Sequence, residues 1–159
     1  MITLKSKELQ LPKLSVDLVV AASRSNGVLS KIDERTLYQI EERYRKFLFL
    51  KQLYPKKRFS PAFDIDEMWH LHMLHPRQYY NDCIKLFGDI LDHNGGFGKK
   101  EEELPLLLEY FNETKQLWEK EFREEYITQT SRDLKKLANM NAEVELNPMD
   151  AIECAICIN

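Results

Sequence analysis

Apolar residues recur at helical spacing in the first half of the chain, after Asp33. They fall three or four positions apart and stop before Pro55: Leu37, Ile40, Tyr44, Phe47 and Leu48. An aspartate side chain accepts hydrogen bonds from the free N–H groups at a helix start, and proline does not continue a helix. The pattern therefore predicts a helix between Asp33 and Pro55.

The same spacing predicts further helices downstream. One begins at Pro76, which suits a first helical turn, and ends at Gly88, which suits the left-handed backbone just beyond a helix. A longer helix begins at about Glu101, with Leu107, Phe111 and Trp118 on its buried side. No segment alternates apolar and polar residues convincingly, as a half-buried strand would. The pattern predicts an all-α fold, a compact helical bundle of about five helices.

Helix-ending residues and composition divide the chain into three segments. We expect a loose N-terminal arm over residues 1–32, a helical domain over 33–139 and a C-terminal tail over 140–159. A chain of 159 residues has the size of one domain, and its 43% hydrophobic and 11% aromatic residues suffice for a core. These values are typical of a soluble globular protein.

Charge and hydropathy exclude several classes of partner. A net charge of −3 gives little attraction for nucleic acid, and the basic cluster of Lys51, Lys56, Lys57 and Arg58 is interpreted as a solvated helix end. No apolar run is long enough to cross a membrane or to serve as a signal peptide. Three cysteines, an odd number, favour reduced thiols. We expect a cytoplasmic location, and another protein as the partner.

All four histidines of the chain lie between Phe63 and Gly98. His70 follows Asp66 by four residues, so the two side chains share one face of a helix. His72 and His75 point to other sides of the same helix, and one ion cannot collect all three histidines from a single helix. A metal site therefore needs a group from another segment.

His93, in the loop after the next helix, is the candidate for that third group. Zinc accepts mixed nitrogen and oxygen ligands, and three protein ligands leave a position open for water. Asp66, His70 and His93 are therefore the candidate ligands of zinc or iron. The preferred interpretation is a buried polar network, in which Asp66 orients His70 and His93 bonds a helix end, and the metal site is the alternative.

Other residues near the histidines are interpreted as structural. His72 lies on the same arc as Ile65, Met68 and Trp69, which predicts a core histidine with a hydrogen-bond partner. Trp69 and Cys83 are assigned to the same buried network. His75 precedes Pro76 and is expected to end its helix.

The C-terminal tail carries Cys154 and Cys157 in a Cys-x-x-Cys arrangement. A second pair is missing, so these two residues do not complete a zinc finger. Three interpretations stay open: apolar packing or disorder, a redox or metal-relay dithiol, and a segment that a partner enzyme modifies or cleaves.

The histidine segment resembles a known family, the glycine-rich domain-containing protein-like family. Its pattern is a Val-Asp-x-x-Trp-His-x-His core, then Tyr, Cys, Gly, a His-His pair and a Gly-Gly turn. The matching residues here run from Asp66 to Leu74, with Tyr79 or Tyr80, Cys83, Gly88, His93 and Gly95-Gly96 after them. Asp92 stands where the family has the first histidine of the pair. The likeness spans roughly residues 33–122 and implies a helical domain of unassigned biochemical activity.

Three functions follow, in order of preference. The first is a helical binding or interaction module with a buried His/Asp site that holds a metal or serves as structure. The second is a metal-dependent enzyme that uses Asp66, His70 and His93. The third is a recognition domain whose Cys-bearing tail is modified by a partner enzyme, as in peptide precursors.

Overall fold

The computed structural model describes residues 10–141, and the described chain is helical with no strand. This confirms the all-α prediction. The helices are α1 (Leu18–Ser23), α2 (Glu34–Leu53), α3 (Phe63–Met73), α4 (Pro76–Phe87), α5 (Leu104–Phe122) and α6 (Gln129–Asn141), with 3-10 turns at Val28–Lys31 and Glu101–Glu103. Within residues 10–141, no helix has the length and apolarity that crossing a bilayer requires.

Helix ends follow the local signals in the sequence. Asp33 caps α2, and its side chain accepts a hydrogen bond from the backbone N–H of Thr36 at 3.0 Å. Pro76 is the first residue of α4, and Gly88 ends that helix with φ of 75°. These observations confirm the predicted starts of α2 and α4 and the predicted end of α4.

Helix α3 lies at the centre of the packing and contacts α1, α2, α4 and α6. Its residues Ile65 and Met68 are fully buried, as are Ile40 and Leu50 of α2. The core continues through aromatic residues from later in the chain: Phe111, Trp118 and Tyr126. Because α3 packs against four other helices, the backbone that carries the residues on its remaining face is held rigidly.

The packed part of the chain begins earlier than the predicted boundary at residue 33. Residues 18–32 were expected to belong to a loose arm, yet Leu18, Val19, Ala22 and Leu29 are buried in the core. Asp17 caps α1, and its side chain accepts a hydrogen bond from Val20 N–H at 2.9 Å. Residues 1–9 and the tail cysteines Cys154 and Cys157 lie outside the described residues.

A buried ion pair joins α2 to the start of α3. Arg43 Nε lies 2.6 Å from Oδ2 of Asp64, which is fully buried. The same guanidinium donates a hydrogen bond to the backbone carbonyl of Tyr126 at 2.7 Å and lies over the ring of Trp118, 5.1 Å from its centroid. Arg43 therefore links three segments that are distant in sequence.

Replacement of Arg43 by leucine is expected to destabilise the fold strongly. The variant would leave the Asp64 carboxylate buried without its charged partner, which costs about 3–5 kcal/mol in the free energy of unfolding. Urea unfolding followed by circular dichroism measures the difference. Arg35→Leu, an exposed change on the same helix, is the matched control and is expected to change stability by less than about 0.5 kcal/mol. Equal stability of the two variants would contradict the prediction.

Candidate metal centre

Asp66 and His70 lie on one face of α3, one helical turn apart. His70 Nδ1 is 3.7 Å from Asp66 Oδ2, and both side chains are partly exposed. This face of α3 points toward a cavity rather than into the core. Local helix geometry alone therefore brings an imidazole beside a carboxylate, as the four-residue spacing predicted.

His93 reaches the same carboxylate from the segment between α4 and α5. Its Nε2 lies 2.7 Å from Asp66 Oδ1, and its ring centroid lies 4.5 Å from that of His70. One possible ligand atom from each of Asp66, His70 and His93 falls within 4.8 Å of the others. The structure thus brings together the three residues that the sequence analysis selected.

Tyr79 holds the segment that carries His93. Its hydroxyl accepts a hydrogen bond from Trp69 Nε1 at 2.9 Å and donates one to the backbone carbonyl of Leu91. Trp69 also packs edge-on against the His93 ring, with 4.4 Å between centroids. Two contacts from α3 and α4 thus fix the segment just before and at His93.

Gly98 allows the end of this segment to pack closely against α5. Gly98 has φ of 92°, and a Cβ atom at this position would lie 2.4 Å from Leu107 Cδ2. Any larger residue would strain the backbone and push Leu107 away. The Gly98 N–H also donates a hydrogen bond to Glu103 Oε2 at 2.8 Å. The bend that contains His93 is therefore anchored at both ends.

The Asp66 carboxylate favours the protonated form of His93. The hydrogen bond that His93 donates to Asp66 raises the pKa of His93 above its usual value, and partial burial opposes this effect. Neutral imidazole is the metal-binding form, so a proton and a metal ion compete for the same nitrogen. The 2.7 Å separation suits a hydrogen bond, whereas two ligands of one tetrahedral zinc lie about 3.4 Å apart. A bound metal would replace the shared proton and move the two atoms slightly apart.

His72 faces the core and has a different environment. It is buried, with Nδ1 2.9 Å from the Tyr44 hydroxyl and Nε2 3.1 Å from Asp82 Oδ2. Burial lowers the pKa of His72, and the nearby Asp82 carboxylate only partly offsets this. Both ring nitrogens are engaged, so His72 lies in a buried hydrogen-bonded network. Its partners Tyr44 and Asp82 could not be identified from the sequence.

Cys83 and His75 are also engaged locally. Cys83 is a buried free thiol beside Tyr79, and burial raises its pKa, which keeps it protonated and unreactive. Trp69 joins this group through its bond to Tyr79. His75 Nδ1 lies 2.9 Å from the backbone carbonyl of Leu71, at the junction of α3 and α4. His75 thus contacts a helix end, outside the cluster of Asp66, His70 and His93.

The cluster forms part of the wall of a cavity of about 680 Å³. Aromatic side chains line much of the remainder, among them Phe59, Trp69 and Tyr110. Asp92, the residue before His93, is exposed and lines the cavity as well. A cavity of this size is in the range of small-molecule sites, about 300–1,000 Å³.

Comparison with known proteins identifies the family. A model of the glycine-rich domain-containing protein-like family matches residues 3–82, which is half of the chain. The chain belongs to this family. The matched region of the glycine-rich domain-containing protein-like family contains Asp66, His70 and the whole of α3, and it stops before His93.

Two plant relatives support the family assignment. Glycine-rich domain-containing protein 1 of Arabidopsis thaliana is 36% identical over 125 residues, and glycine-rich domain-containing protein 2 of the same plant is 29% identical over 120 residues. Each alignment covers 69% of this chain, but the chain spans only 14% and 15% of those relatives. No solved structure matches.

In metal-free protein, Asp66→Asn is expected to lower the pKa of His93. Because the pKa of His93 is raised in the folded state, protonation of His93 stabilises the fold at pH values below its unfolded-state pKa of about 6.5. This contribution to the free energy of unfolding is lost as the pH rises through the folded-state pKa. Removal of the carboxylate charge removes the raised pKa. NMR titration of the histidine ring protons measures the change. Asp92→Asn, next to His93 in sequence, is the control and is expected to leave the pKa of His93 unchanged. An unaltered pKa in Asp66→Asn would contradict the assignment.

Proposed function

We propose that this chain is a helical binding module that holds a divalent transition metal, zinc or iron, through Asp66, His70 and His93. The observation that carries the proposal is the convergence of one carboxylate and two imidazoles from two separate segments, with one ligand atom from each within 4.8 Å of the others. Neutral imidazole and carboxylate are common ligands of both metals.

The distances within the cluster are close to those that a shared metal requires. His70 Nδ1 and Asp66 Oδ2 are 3.7 Å apart, which is too long for a hydrogen bond. Two ligands of one tetrahedral zinc lie about 3.4 Å apart, between this distance and the 2.7 Å between His93 and Asp66. An ion shared by the three residues would need only small shifts of these side chains, with His93 and Asp66 moving apart and His70 moving closer.

The residues that line the cavity favour a binding module over an enzyme. Three protein ligands leave a fourth position for water or a bound molecule, and the cluster lines the cavity. Among the described residues that line it, the other carboxylate is the exposed Asp92. A hydrolytic enzyme would need a positioned general base near the metal. The open position makes a metal-dependent enzyme on the same three residues the second candidate.

The role of the tail stays a separate hypothesis. Cys154 and Cys157 lie outside the described residues, and a partner enzyme that modifies them would make the helical domain a recognition module. That enzyme would be the protein partner, and the cytoplasm is the proposed location because it keeps thiols reduced. Mass spectrometry of protein from its native host tests this, and unmodified cysteines would count against it.

Zinc binding to the full chain is the direct test of the proposal. Isothermal titration of metal-free protein is expected to give one zinc per chain. Loss of a residue that only hydrogen-bonds to a metal ligand lowers metal affinity about 10–100-fold. Loss of a ligand itself has a larger effect, so His70→Ala and His93→Ala are each expected to lower zinc affinity at least about 100-fold. His75→Ala, a histidine outside the cluster, is the matched control and is expected to bind as the wild type does.

A second control separates the cluster from the tail. The Cys154→Ser/Cys157→Ser double variant keeps all three proposed ligands and is expected to retain zinc. Circular dichroism of each variant reports whether the helices are intact. Loss of zinc in the double cysteine variant, or full affinity in His93→Ala, would contradict the proposed site.

A further inference from the structure

The cavity next to the cluster is lined by three cations as well as by the proposed metal ligands. Lys51, Arg58 and Lys99 all lie in its wall. Arg58 and Lys99 are exposed at the cavity surface and make no ion pair with any residue in the range 10–141. The three cations outnumber the two carboxylates among the described lining residues, Asp66 and Asp92, so the cavity is complementary to an anion.

Lys51 is held in place beside Arg58. Its Nζ donates hydrogen bonds to the backbone carbonyl of Lys57 at 2.6 Å and to that of Pro55 at 3.2 Å. Burial lowers the pKa of Lys51, and the positive charge of Arg58 lowers it further. The two cations therefore repel each other, and an anion bound near both would reduce that repulsion.

Aromatic rings line the same space. Lys51 Nζ lies 5.7 Å from the centroid of Phe59, and the rings of Phe97 and Tyr110 pair with 6.1 Å between centroids and 31° between planes. Such surfaces bind flat apolar groups by stacking or edge contact. The volume of about 680 Å³ is large enough for a small two-ring molecule.

We propose that this cavity binds a small aromatic organic anion, whose carboxylate or phosphate group pairs with Arg58 and Lys99 and whose ring lies against Phe59 and Tyr110. The guanidinium of Arg58 can form paired hydrogen bonds with either anionic group. The inference rests on the proposed function only for the added affinity that a metal at Asp66, His70 and His93 would supply. Recognition of the anion by the cations and rings does not need the metal.

Calorimetric titration with three matched probes tests the inference. These are 2-naphthoate, 2-naphthyl phosphate and the uncharged 2-naphthamide, each titrated into the full chain with and without zinc. At least one of the two anions is expected to bind zinc-free protein, at least about tenfold more tightly than the amide, because each charged contact is worth about 1.5–3 kcal/mol. The more tightly bound anion identifies the preferred group. Zinc-loaded protein is expected to bind it more tightly still.

Paired variants with equal charge changes locate the site. Arg58→Gln/Lys99→Gln removes two of the three cavity cations and is expected to weaken anion binding at least about tenfold, with zinc affinity unchanged within about twofold. Lys56→Gln/Lys100→Gln, exposed neighbours outside the cavity lining, is the control and is expected to bind as the wild type does. Both double variants alter exposed side chains, so the fold is expected to be kept.

The outcomes separate this inference from the metal proposal. Failure of both anions to bind, equal affinity for the amide, or equal loss in the two double variants would overturn the anion site. Zinc binding without anion binding would overturn the inference and leave the metal site standing. Anion binding by protein that takes up no zinc would support the inference and count against the metal.

Discussion

The hydroxyl of Tyr79 connects two parts of the molecule on which the whole site depends. It accepts a hydrogen bond from Trp69 on α3 and donates one to the carbonyl of Leu91, two residues before His93. Burial raises the pKa of Tyr79 far above its usual value, so the group keeps its proton and remains a donor. Because this bond fixes the start of the bend, the His93 ring is held against Trp69 and within 2.7 Å of Asp66. A site shared between two segments requires such a restraint, since ordering a free loop would oppose ligand binding.

Helix α3 serves the core and the site with different faces. His72 points inward to Tyr44 and Asp82, and its neighbour His70 points to the cavity. The Arg43–Asp64 pair fixes the start of the same helix against α2. Core packing therefore positions Asp66 and His70 before any ligand arrives, and the segment after α4 adds the third group. The wall of the same cavity contributes positive charge from Arg58 and Lys99. A bound metal would add to this positive charge, and a bound anion would offset the charge of both the metal and the cations.

Features with local causes could be predicted from the sequence. The cap at Asp33, the start at Pro76, the end at Gly88 and the shared face of Asp66 and His70 all depend on residues within one or two turns. Contacts between different helices could not be predicted. Asp82 pairs with His72, and Arg43 with Asp64, because of how the helices pack, which residue spacing along the chain does not show. A helix of six residues gives too few repeats to reveal a buried face, so residues 18–32 resembled a loose arm. Arg58 was interpreted as part of a solvated helix end because the sequence does not reveal the cavity beside it.

Zinc K-edge absorption spectroscopy of the zinc-loaded full chain tests the central claim most directly, since it reports which atoms surround the metal. Coordination by Asp66, His70 and His93 predicts only nitrogen and oxygen neighbours at about 2.0–2.2 Å, with the multiple scattering that imidazole rings produce. A shell of sulfur atoms at about 2.3 Å would instead place the metal on cysteine residues and contradict the site between α3 and the His93 bend.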